Sequence, residues 1–341
     1  MMKRGMAIAL LTLGGTAALV AAPGGQTPGV PAQGRGRGTP PPAAARAATA
    51  DIRVLTVRPN VYMLSGAGGN ITVLTFAEGV LLVDTGSALM ADKVLETVKR
   101  LSDKPIAHII NTSASSDHVG GNETLAASGR RIPGEIVAGE GPMVVAHENV
   151  LTRMSAPTGK QAAAPERAWP NETYHLDTKK LSTHFHGGEA IELLHAPAAH
   201  SDGDSLVWFR HADVLITGDI FMTTTYPIID VANGGTIDGV IDGLNRILEI
   251  AFPDFRSEGG TMIIPGHGRL SDMADVGYYR DMVTIIRARV QDLVKKGQTL
   301  EQVKAAKPTR DYDARFGATA GPWTTDMFVD AVYKTLGAKK K

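Results

Sequence analysis

Histidine and aspartate residues that could bind a metal ion are concentrated in four short segments of the chain. Each segment follows a short apolar run and contains glycine or another small residue; the segments are residues 111–122, 195–204, 217–219 and 264–268. Imidazole nitrogens and carboxylate oxygens are donors that zinc and similar ions take from proteins. A single aspartate after a strand is more often a turn or helix-cap residue, so the prediction depends on all four segments together. The combination predicts a metal site with nitrogen and oxygen ligands.

The elements that must position these segments are short strands and amphipathic helices. Short, β-branched apolar runs predict strands at residues 61–64, 71–75, 80–83, 107–110, 136–138, 191–195, 206–209, 214–216 and 262–264. Apolar residues at helical spacing predict helices at residues 90–101, 237–250, 276–294 and 325–336, and Thr299 with Gln302 predicts a capping box that opens another helix. Strands with interleaved helices in two similar halves favour an α+β fold, with helices covering sheets, over an all-β sandwich.

Composition excludes several classes of protein. The 341 residues are 43% hydrophobic and include no cysteine, which excludes disulfide scaffolds, thiolate zinc fingers, cysteine nucleophiles and iron–sulfur clusters. Lys+Arg and Asp+Glu both number 35, but residues 1–50 hold five bases and no acid, so the rest of the chain carries five more acids than bases. A domain with that balance is a poor electrostatic match to nucleic acid. The partner we expect is a small-molecule substrate; the sequence does not fix the oligomeric state.

The first 50 residues are predicted to lie outside the folded domain. Lys3 and Arg4 precede an apolar run at residues 6–20 and two alanines, which is the pattern of a signal peptide over residues 1–22; a disordered apolar leader is the alternative. The run is shorter than the roughly 20 apolar residues that span a bilayer, so the mature chain is expected to have no membrane span and to be periplasmic or secreted. Residues 23–50, rich in Pro, Gly and Ala, predict a disordered linker, and residues 51–341 predict one folded domain that ends in helices.

The four segments together resemble the metallo-β-lactamase superfamily. Its signature is a strand followed by His-x-His-x-Asp-His, then a later His, an Asp and a final His. The positions that match it here are Asp117, His118, His200, Asp219 and His267. The resemblance covers roughly residues 52–297, and residues 83–86 match the early strand and turn of the family. Residues 146–150, 199–204 and 226–230 resemble an exported bacterial branch of metallo-hydrolases. It implies a four-layer αβ/βα sandwich with the metal cleft at one edge of two packed sheets.

The sequence departs from this signature at its first two histidines, which fall on Ser113 and Ser115. In the superfamily those two imidazoles, with the residue matched by His200, hold the first metal ion. The residues that hold the second ion are matched by Asp117, His118, Asp219 and His267, all of which are present. Because a neutral hydroxyl is a weak donor for zinc, we expect the first site to be empty or weak and a single zinc ion to occupy the second.

Two functions remain open. One is an exported zinc hydrolase that cleaves an ester, amide, lactam or thioester, because one zinc ion lowers the pKa of its bound water to about 7. Four protein ligands would close a tetrahedral ion, so turnover requires five-coordination or release of Asp219. His200 would act as general base, and Asp117 is the second predicted catalytic residue. The alternative is a catalytically impaired pseudo-enzyme, a ligand- or partner-binding module with a structural metal.

Several further residues carry weaker predictions. Tyr226 and Asp230 follow Asp219 closely and are candidates for a substrate pocket, and the aperiodic residues 152–169 are predicted to form a loop over the site. Asp84 is expected to hydrogen-bond the metal loops. Asp202 and Asp204 are most simply turn residues that orient His200. His184 and His186 are expected to be exposed on one face of a strand, with a substitute metal pair as the alternative.

Overall fold

The computed structural model describes residues 51–135, 141–157, 162–253 and 259–337. The predicted signal peptide (residues 1–22), the predicted linker (residues 23–50) and the predicted strand at residues 136–138 lie outside the described residues. Among the described residues, no helix is both long and apolar enough to cross a membrane.

The first half of the described chain forms a seven-stranded mixed sheet. Its strands lie side by side in chain order, and they are β1 (Arg53–Arg58), β2 (Val61–Ser65), β3 (Ile71–Thr75), β4 (Val80–Val83), β5 (Ile106–Ile110), β6 (Met143–His147) and β7 (Glu172–Tyr174). Strands β1 to β4 pair antiparallel through tight connections. Strands β4 to β7 pair parallel, so their carboxyl ends meet at one edge of the sheet.

The second half forms a five-stranded sheet. Its strands also lie side by side in chain order, and they are β8 (Thr178–Lys180), β9 (Ile191–His195), β10 (Ser205–Phe209), β11 (Val214–Ile216) and β12 (Met262–Ile264). Strands β8 to β11 are antiparallel, whereas β11 and β12 are parallel. A parallel pair therefore also lies at the edge of this sheet.

The two sheets pack against each other through alternating residues of their strands. In β4, Leu81 and Val83 enter the core between the sheets, whereas Val80 and Leu82 enter the core on the outer side of the first sheet. Side chains of β4 are thus buried on both faces, as expected for a strand covered on both sides. Each such side chain stabilises the fold by about 1.5–3 kcal/mol when fully buried.

Helices cover the outer faces of both sheets. They are α1 (Ala91–Leu101), α2 (Ser116–Val119), α3 (Asn122–Ala127), α4 (Glu148–Ser155), α5 (Ile237–Ile250), α6 (Met273–Lys295), α7 (Leu300–Ala305), α8 (Asp313–Phe316) and α9 (Thr325–Gly337). Helix α1 packs on the first sheet through Val94 and Val98. Helices α5, α6 and α9 share one buried core with the second sheet. The layers are therefore helix, sheet, sheet and helix, which confirms the predicted α+β sandwich.

Candidate metal centre

The candidate ligands lie where the parallel strands of both sheets end. Helix α2, which carries Asp117 and His118, follows β5 of the first sheet after a short loop. Asp219 lies in a single 3-10 turn (Gly218–Ile220) directly after β11, and His267 follows β12 by three residues. Both sheets thus deliver side chains to one edge of the sandwich, although the ligands are far apart in the sequence.

The loops after β11 and β12 hold Asp219 and His267 in place by continuing the parallel pairing of their strands. The backbone N–H of Thr217 donates to the carbonyl of Ile264 at 3.0 Å, and that of Gly266 donates to Gly218 at 2.8 Å. A Cβ atom at position 266 would lie 2.3 Å from Asp219 Oδ1 and 2.7 Å from the Gly218 carbonyl. Only glycine therefore lets the His267 loop approach the Asp219 carboxylate this closely.

The turn before β3 ties the ligands of the two sheets together. The Asn70 amide Nδ2 donates to the carbonyls of Pro265 at 2.9 Å and Gly268 at 3.1 Å, on both sides of His267. The backbone N–H of neighbouring Gly69 donates to the carbonyl of Asp117 at 3.1 Å. One short segment thus holds the loops that carry Asp117 and His267 in a fixed relation.

The donor atoms are spaced as ligands of a single ion would be. His118 Nε2 lies 3.1 Å from Asp219 Oδ1, and His267 Nε2 lies 3.1 Å from Asp117 Oδ2 and 3.5 Å from Asp219 Oδ1. Two atoms bound about 2.1 Å from one tetrahedral ion lie about 3.4 Å apart. Donor atoms of Asp117, His118 and His267 all fall within 4.8 Å of one another. Asp117, His118 and His267 therefore fit a single divalent cation, and Asp219 contacts both imidazoles beside them.

A buried aspartate orients the His118 ring. Asp84, the first residue after β4, places Oδ2 2.7 Å from His118 Nδ1, and it accepts hydrogen bonds from the Thr112 backbone at 2.8 Å and hydroxyl at 2.7 Å. Since the carboxylate can only accept, Nδ1 carries a proton and Nε2 faces the other ligands. Burial would lower the pKa of His118, but the charges of Asp219 and Asp84 outweigh it and hold that pKa well above its usual value.

The two carboxylates remain ionised beside the imidazoles. Burial would raise the pKa of Asp219, but the charge and hydrogen bond of His118 outweigh it and hold that pKa far below its usual value. Burial also acts to raise the pKa of Asp117, and the hydrogen bond from His267 with the charge of His118 lowers it below its usual value. Both groups are therefore anionic donors at neutral pH, as cation binding requires.

In the other half of the cleft, serine and histidine contact each other. Ser115 Oγ lies 3.0 Å from His200 Nε2, and His200 Nδ1 lies 2.9 Å from the carbonyl of Ile228. Ser113 is buried, and its hydroxyl accepts the backbone N–H of Ser115 at 3.3 Å. The three positions where the superfamily resemblance implies a first metal ion thus hold a hydrogen-bonded network of their own.

Asp204 shapes the turn that carries His200. Its carboxylate accepts the backbone N–H of Ser201 at 2.7 Å and the Ser201 hydroxyl at 2.8 Å, and burial raises its pKa to about 6. Burial would lower the pKa of His200, but the charges of Asp204 and Asp219 outweigh it and raise that pKa. Asp202 lies on the outer side of the same turn and pairs with Arg153 of α4 at 2.5 Å.

A cavity of about 300 Å³ opens beside both halves of the cleft. Asp117 and Asp219 line one side of it, Ser115 and His200 another, and Asp230 lies at its wall. The cavity also reaches the end of α4 and the segment after it, through Arg153, Ala156 and Ala162. The aperiodic segment that starts at residue 152 therefore contributes to the cavity, although its first residues are helical.

Two weaker sequence predictions are corrected. Tyr226 does not line this cavity: its ring stacks on Phe328 at 4.8 Å in the core beneath α9, and its hydroxyl donates to Thr309 and Asp313. His184 and His186 do not lie on a strand, because Thr183–Phe185 forms a 3-10 turn.

His186 is buried rather than exposed, with Nδ1 2.6 Å from the Ser182 carbonyl. Among the side chains that the structure describes, the one group of three or more that could hold a metal contains neither His184 nor His186.

Sequence analysis missed two residues of the site. Arg153 lies in a segment with no recognisable motif, and its place at the cavity depends on how α4 packs against the turn at residues 200–204. Asn70 precedes β3 and gives no chemical signal of its own, yet its amide holds the loop of His267. A polar residue beside several glycines (66, 68 and 69) between two strands was the available signal.

Comparison with known proteins identifies the family. The sequence profile described as "Metallo-beta-lactamase superfamily" matches residues 64–267, more than half of the chain. The metallo-beta-lactamase type 2 of Bacillus cereus is 21% identical over 233 residues, which cover 66% of this chain and 79% of that protein.

Solved structures agree on the fold. The stereoselective inverting sec-alkylsulfatase Pisa1 from Pseudomonas sp. aligns with a TM-score of 0.58 and 17% identity over 85% of this chain, which spans only 51% of that enzyme's length. A metallo-beta-lactamase from Pontibacter korlensis aligns with a TM-score of 0.52 and 16% identity, covering 69% of this chain and 99% of that one. The profile match, the fold and the ordered set of aspartates and histidines lead to one conclusion: the chain belongs to the metallo-beta-lactamase superfamily.

Proposed function

We propose that this protein is an exported zinc-dependent hydrolase with one metal ion, held by Asp117, His118, Asp219 and His267. Its substrates would be esters, amides, lactams or thioesters. The observation that supports this most is the spacing of two imidazoles and two carboxylates, 3.1–3.5 Å between contacting donor atoms, at the wall of an open cavity. Membership of a superfamily of hydrolases supports the reaction class.

A zinc ion at this position would polarise a carbonyl oxygen and lower the pKa of a bound water to about 7. The part of the protein is to hold the donors and to keep them in the right protonation state. Asp84 fixes the His118 ring so that Nε2 faces the site. Asn70 fixes the loop on both sides of His267. Both contacts are made by buried or nearly buried groups, so the ligands are held before a metal arrives.

His200 is the proton acceptor at the cavity. Its Nδ1 donates to the Ile228 carbonyl, which leaves Nε2 as the nitrogen with a free lone pair in the neutral ring. That nitrogen contacts Ser115, and both residues line the cavity that Asp117 and Asp219 also line. His200 can therefore take a proton from an attacking hydroxyl group and return it to the leaving group.

Export is the second part of the proposal. It is supported by the basic residues, apolar run and small residues within residues 1–22. Expressing the full chain in bacteria and locating it by cell fractionation tests this directly. A processed chain outside the cytoplasm is expected, and an unprocessed cytoplasmic chain would contradict it.

The hydrolase proposal is tested with a panel of ester, amide, lactam and thioester substrates, measured with and without zinc. His267→Ala should abolish zinc-dependent turnover, because it removes a ligand. The matched control is His184→Ala, which removes an exposed histidine of the 3-10 turn at Thr183–Phe185 and should leave turnover unchanged. No bound zinc and no hydrolysis of the whole panel would overturn the proposal. Bound zinc without hydrolysis would favour the alternative, a pseudo-enzyme with a structural metal.

A further inference from the structure

Ser115 and His200 form a pair with the geometry of a nucleophilic serine and its base. The hydroxyl oxygen lies 3.0 Å from Nε2 of the imidazole, and both residues line the cavity. We propose that Ser115 is a nucleophile, activated by His200, which takes the acyl group of a carboxylic ester or thioester to form a covalent acyl-enzyme. The inference rests on the proposed function only in that the cavity accepts an acyl substrate.

The hydrogen bonds of His200 set the direction of proton transfer. The Ile228 carbonyl can only accept, so His200 Nδ1 carries the proton in the neutral ring. Nε2 is then an acceptor, and the Ser115 hydroxyl must be the donor in the 3.0 Å contact. In serine hydrolases the base is held in the same tautomer by a group on its other nitrogen. Here a backbone carbonyl fills that place.

The backbone around Ser115 leaves its hydroxyl free for this contact. Ser115 is the N-cap residue of α2, where a serine side chain usually accepts a backbone N–H from the first turn. Its side chain makes no such cap bond, and its carbonyl instead accepts the N–H groups of His118 and Val119. Its own N–H donates to the Ser113 hydroxyl at 3.3 Å. Ser113 thus supports the turn, while the Ser115 hydroxyl points at His200.

The cavity gives an acyl group access to this hydroxyl. Ser115 is partly exposed, whereas His200 is only 5% exposed, so the nucleophile faces the cavity and the base lies behind it. Ala156 and Ala162 form part of the wall, and their small side chains leave room for a substrate. These positions fit an ester that enters the cavity and presents its carbonyl carbon to Ser115.

The reaction balances without an added reagent. Ser115 Oγ forms a bond to the carbonyl carbon while its proton moves to His200 Nε2. The bond from that carbon to the leaving oxygen or sulfur then breaks, and the leaving group takes the proton from His200. Water then attacks the carbonyl carbon of the acyl-serine and gives a proton to His200 Nε2. The bond from that carbon to Ser115 Oγ breaks, Oγ takes the proton from His200, and the carboxylic acid is released. Ester and water are consumed, and acid and alcohol or thiol are formed.

The test is covalent labelling by diisopropyl fluorophosphate, followed by intact-mass and peptide mass spectrometry. The Ser115 oxygen displaces fluoride from phosphorus, which needs a nucleophile and a base but no turnover. One adduct per chain is expected, on the peptide that contains Ser115. Ser115→Ala should give no adduct, and His200→Gln should slow labelling at least about 100-fold. The matched control is Ser116→Ala at the exposed neighbouring serine, which should label at the wild-type rate.

Labelling is compared in zinc-loaded and chelator-treated protein, beside hydrolysis of p-nitrophenyl acetate. An acetyl adduct on Ser115 after acid quench would support the inference. Equal labelling of Ser115→Ala, or no labelling of wild-type protein, would overturn it. If zinc-loaded Ser115→Ala hydrolyses the ester at the wild-type rate, the inference fails and the proposed zinc hydrolase stands. If wild-type protein is labelled at Ser115 but hydrolyses the ester equally fast with and without zinc, the inference stands and the zinc proposal fails.

Discussion

Two imidazoles in the cleft are each oriented by a hydrogen bond at Nδ1, but the acceptor differs between them. His118 Nδ1 faces the Asp84 carboxylate at 2.7 Å, and His200 Nδ1 faces the Ile228 carbonyl at 2.9 Å. In both rings Nε2 is turned toward the cleft. A carboxylate partner makes the ring a stronger donor and suits metal binding, whereas a neutral carbonyl fixes the tautomer without adding charge. The difference matches the two roles proposed for the two halves.

Asp84→Asn tests the orientation of His118. Asp84 has a φ of 62°, which asparagine tolerates, so the backbone should be kept. An amide can donate to Nδ1 and so favour the tautomer with its proton on Nε2, which cannot bind a metal. Zinc affinity, measured by competition with a chromogenic chelator, should fall about 10–100-fold. Asp92→Asn, at an exposed position of α1, is the control; equal affinities for the two variants would show that Asp84 does not orient a ligand.

At the scale of elements, the site depends on glycine in the loop after β12. A Cβ atom on Gly266 would meet both the Asp219 carboxylate and the Gly218 backbone at under 3 Å, and a backbone contact cannot be relieved by a rotamer change. Gly266→Ala should lower the free energy of unfolding by about 1–3 kcal/mol and displace Asp219 from the proposed metal site.

Urea unfolding and metal analysis measure both effects of Gly266→Ala. Gly277→Ala is the matched control, because a Cβ atom at that position of α6 meets nothing within 4 Å. That variant should be as stable as the parent or up to about 1 kcal/mol more stable. Wild-type stability and metal content in Gly266→Ala would contradict the close approach of the two loops.

Helix α4 should make stability depend on pH. His147 caps this helix by accepting the backbone N–H of Asn149 at 3.3 Å, and its ring stacks on His195 at 3.7 Å. Burial, with the charge of His195, lowers the pKa of His147 to about 4. Between pH 6.5 and 4 the unfolded chain therefore binds a proton that the folded chain does not. The contribution of His147 to the free energy of unfolding should therefore fall through this window as the pH falls, by at most about 3 kcal/mol.

His147→Asn isolates this contribution. Asparagine keeps a side-chain acceptor at the N-cap but does not titrate, so its stability should depend less on pH between 6.5 and 4. Urea unfolding at a series of pH values measures the slope. His184→Asn, at an exposed histidine, should keep the wild-type slope. A wild-type slope in His147→Asn would show that this residue is not the titrating group.

For the whole molecule, metal binding and folding are expected to be linked, because the ligands come from both sheets. Asp117 and His118 follow the first sheet, and Asp219 and His267 follow the second. Zinc at 100 times its dissociation constant should stabilise the folded protein by about 2.7 kcal/mol. Thermal unfolding with added zinc measures this, and His267→Ala should lose the increase. An unchanged unfolding temperature in wild-type protein would contradict binding by the folded state.

Much of the fold follows from local sequence. Strands β3, β4, β9, β11 and β12 were predicted with their observed bounds, because each is a short apolar run with clear turn residues around it. Strands β1, β6, β7 and β8 were not predicted, although β6 is fully buried. Four residues of β1 are exposed. Strands β7 and β8 are only three residues long, and both contain charged side chains. Such strands form because the backbone N–H and C=O groups of a neighbouring strand are available for pairing. Local sequence does not reveal that neighbour.

Sequence reasoning also located the chemistry of the site but not its contacts. Residue type and order singled out Asp117, His118, Asp219 and His267. They also showed that serine replaces the first two histidines of the superfamily signature, at Ser113 and Ser115. The bond between Ser115 and His200 joins residues 85 positions apart, and Arg153 reaches Asp202 across 49 positions. Pairs this far apart depend on how the loops pack, and no local pattern encodes them.

The most direct measurement is the number of zinc ions per chain in the purified, fully loaded protein, determined by elemental mass spectrometry. One ion per chain is expected, and His267→Ala should lose it. Two ions per chain would mean that Ser113, Ser115 and His200 still hold a metal. No bound ion would mean that the cluster of Asp117, His118, Asp219 and His267 is not a metal site.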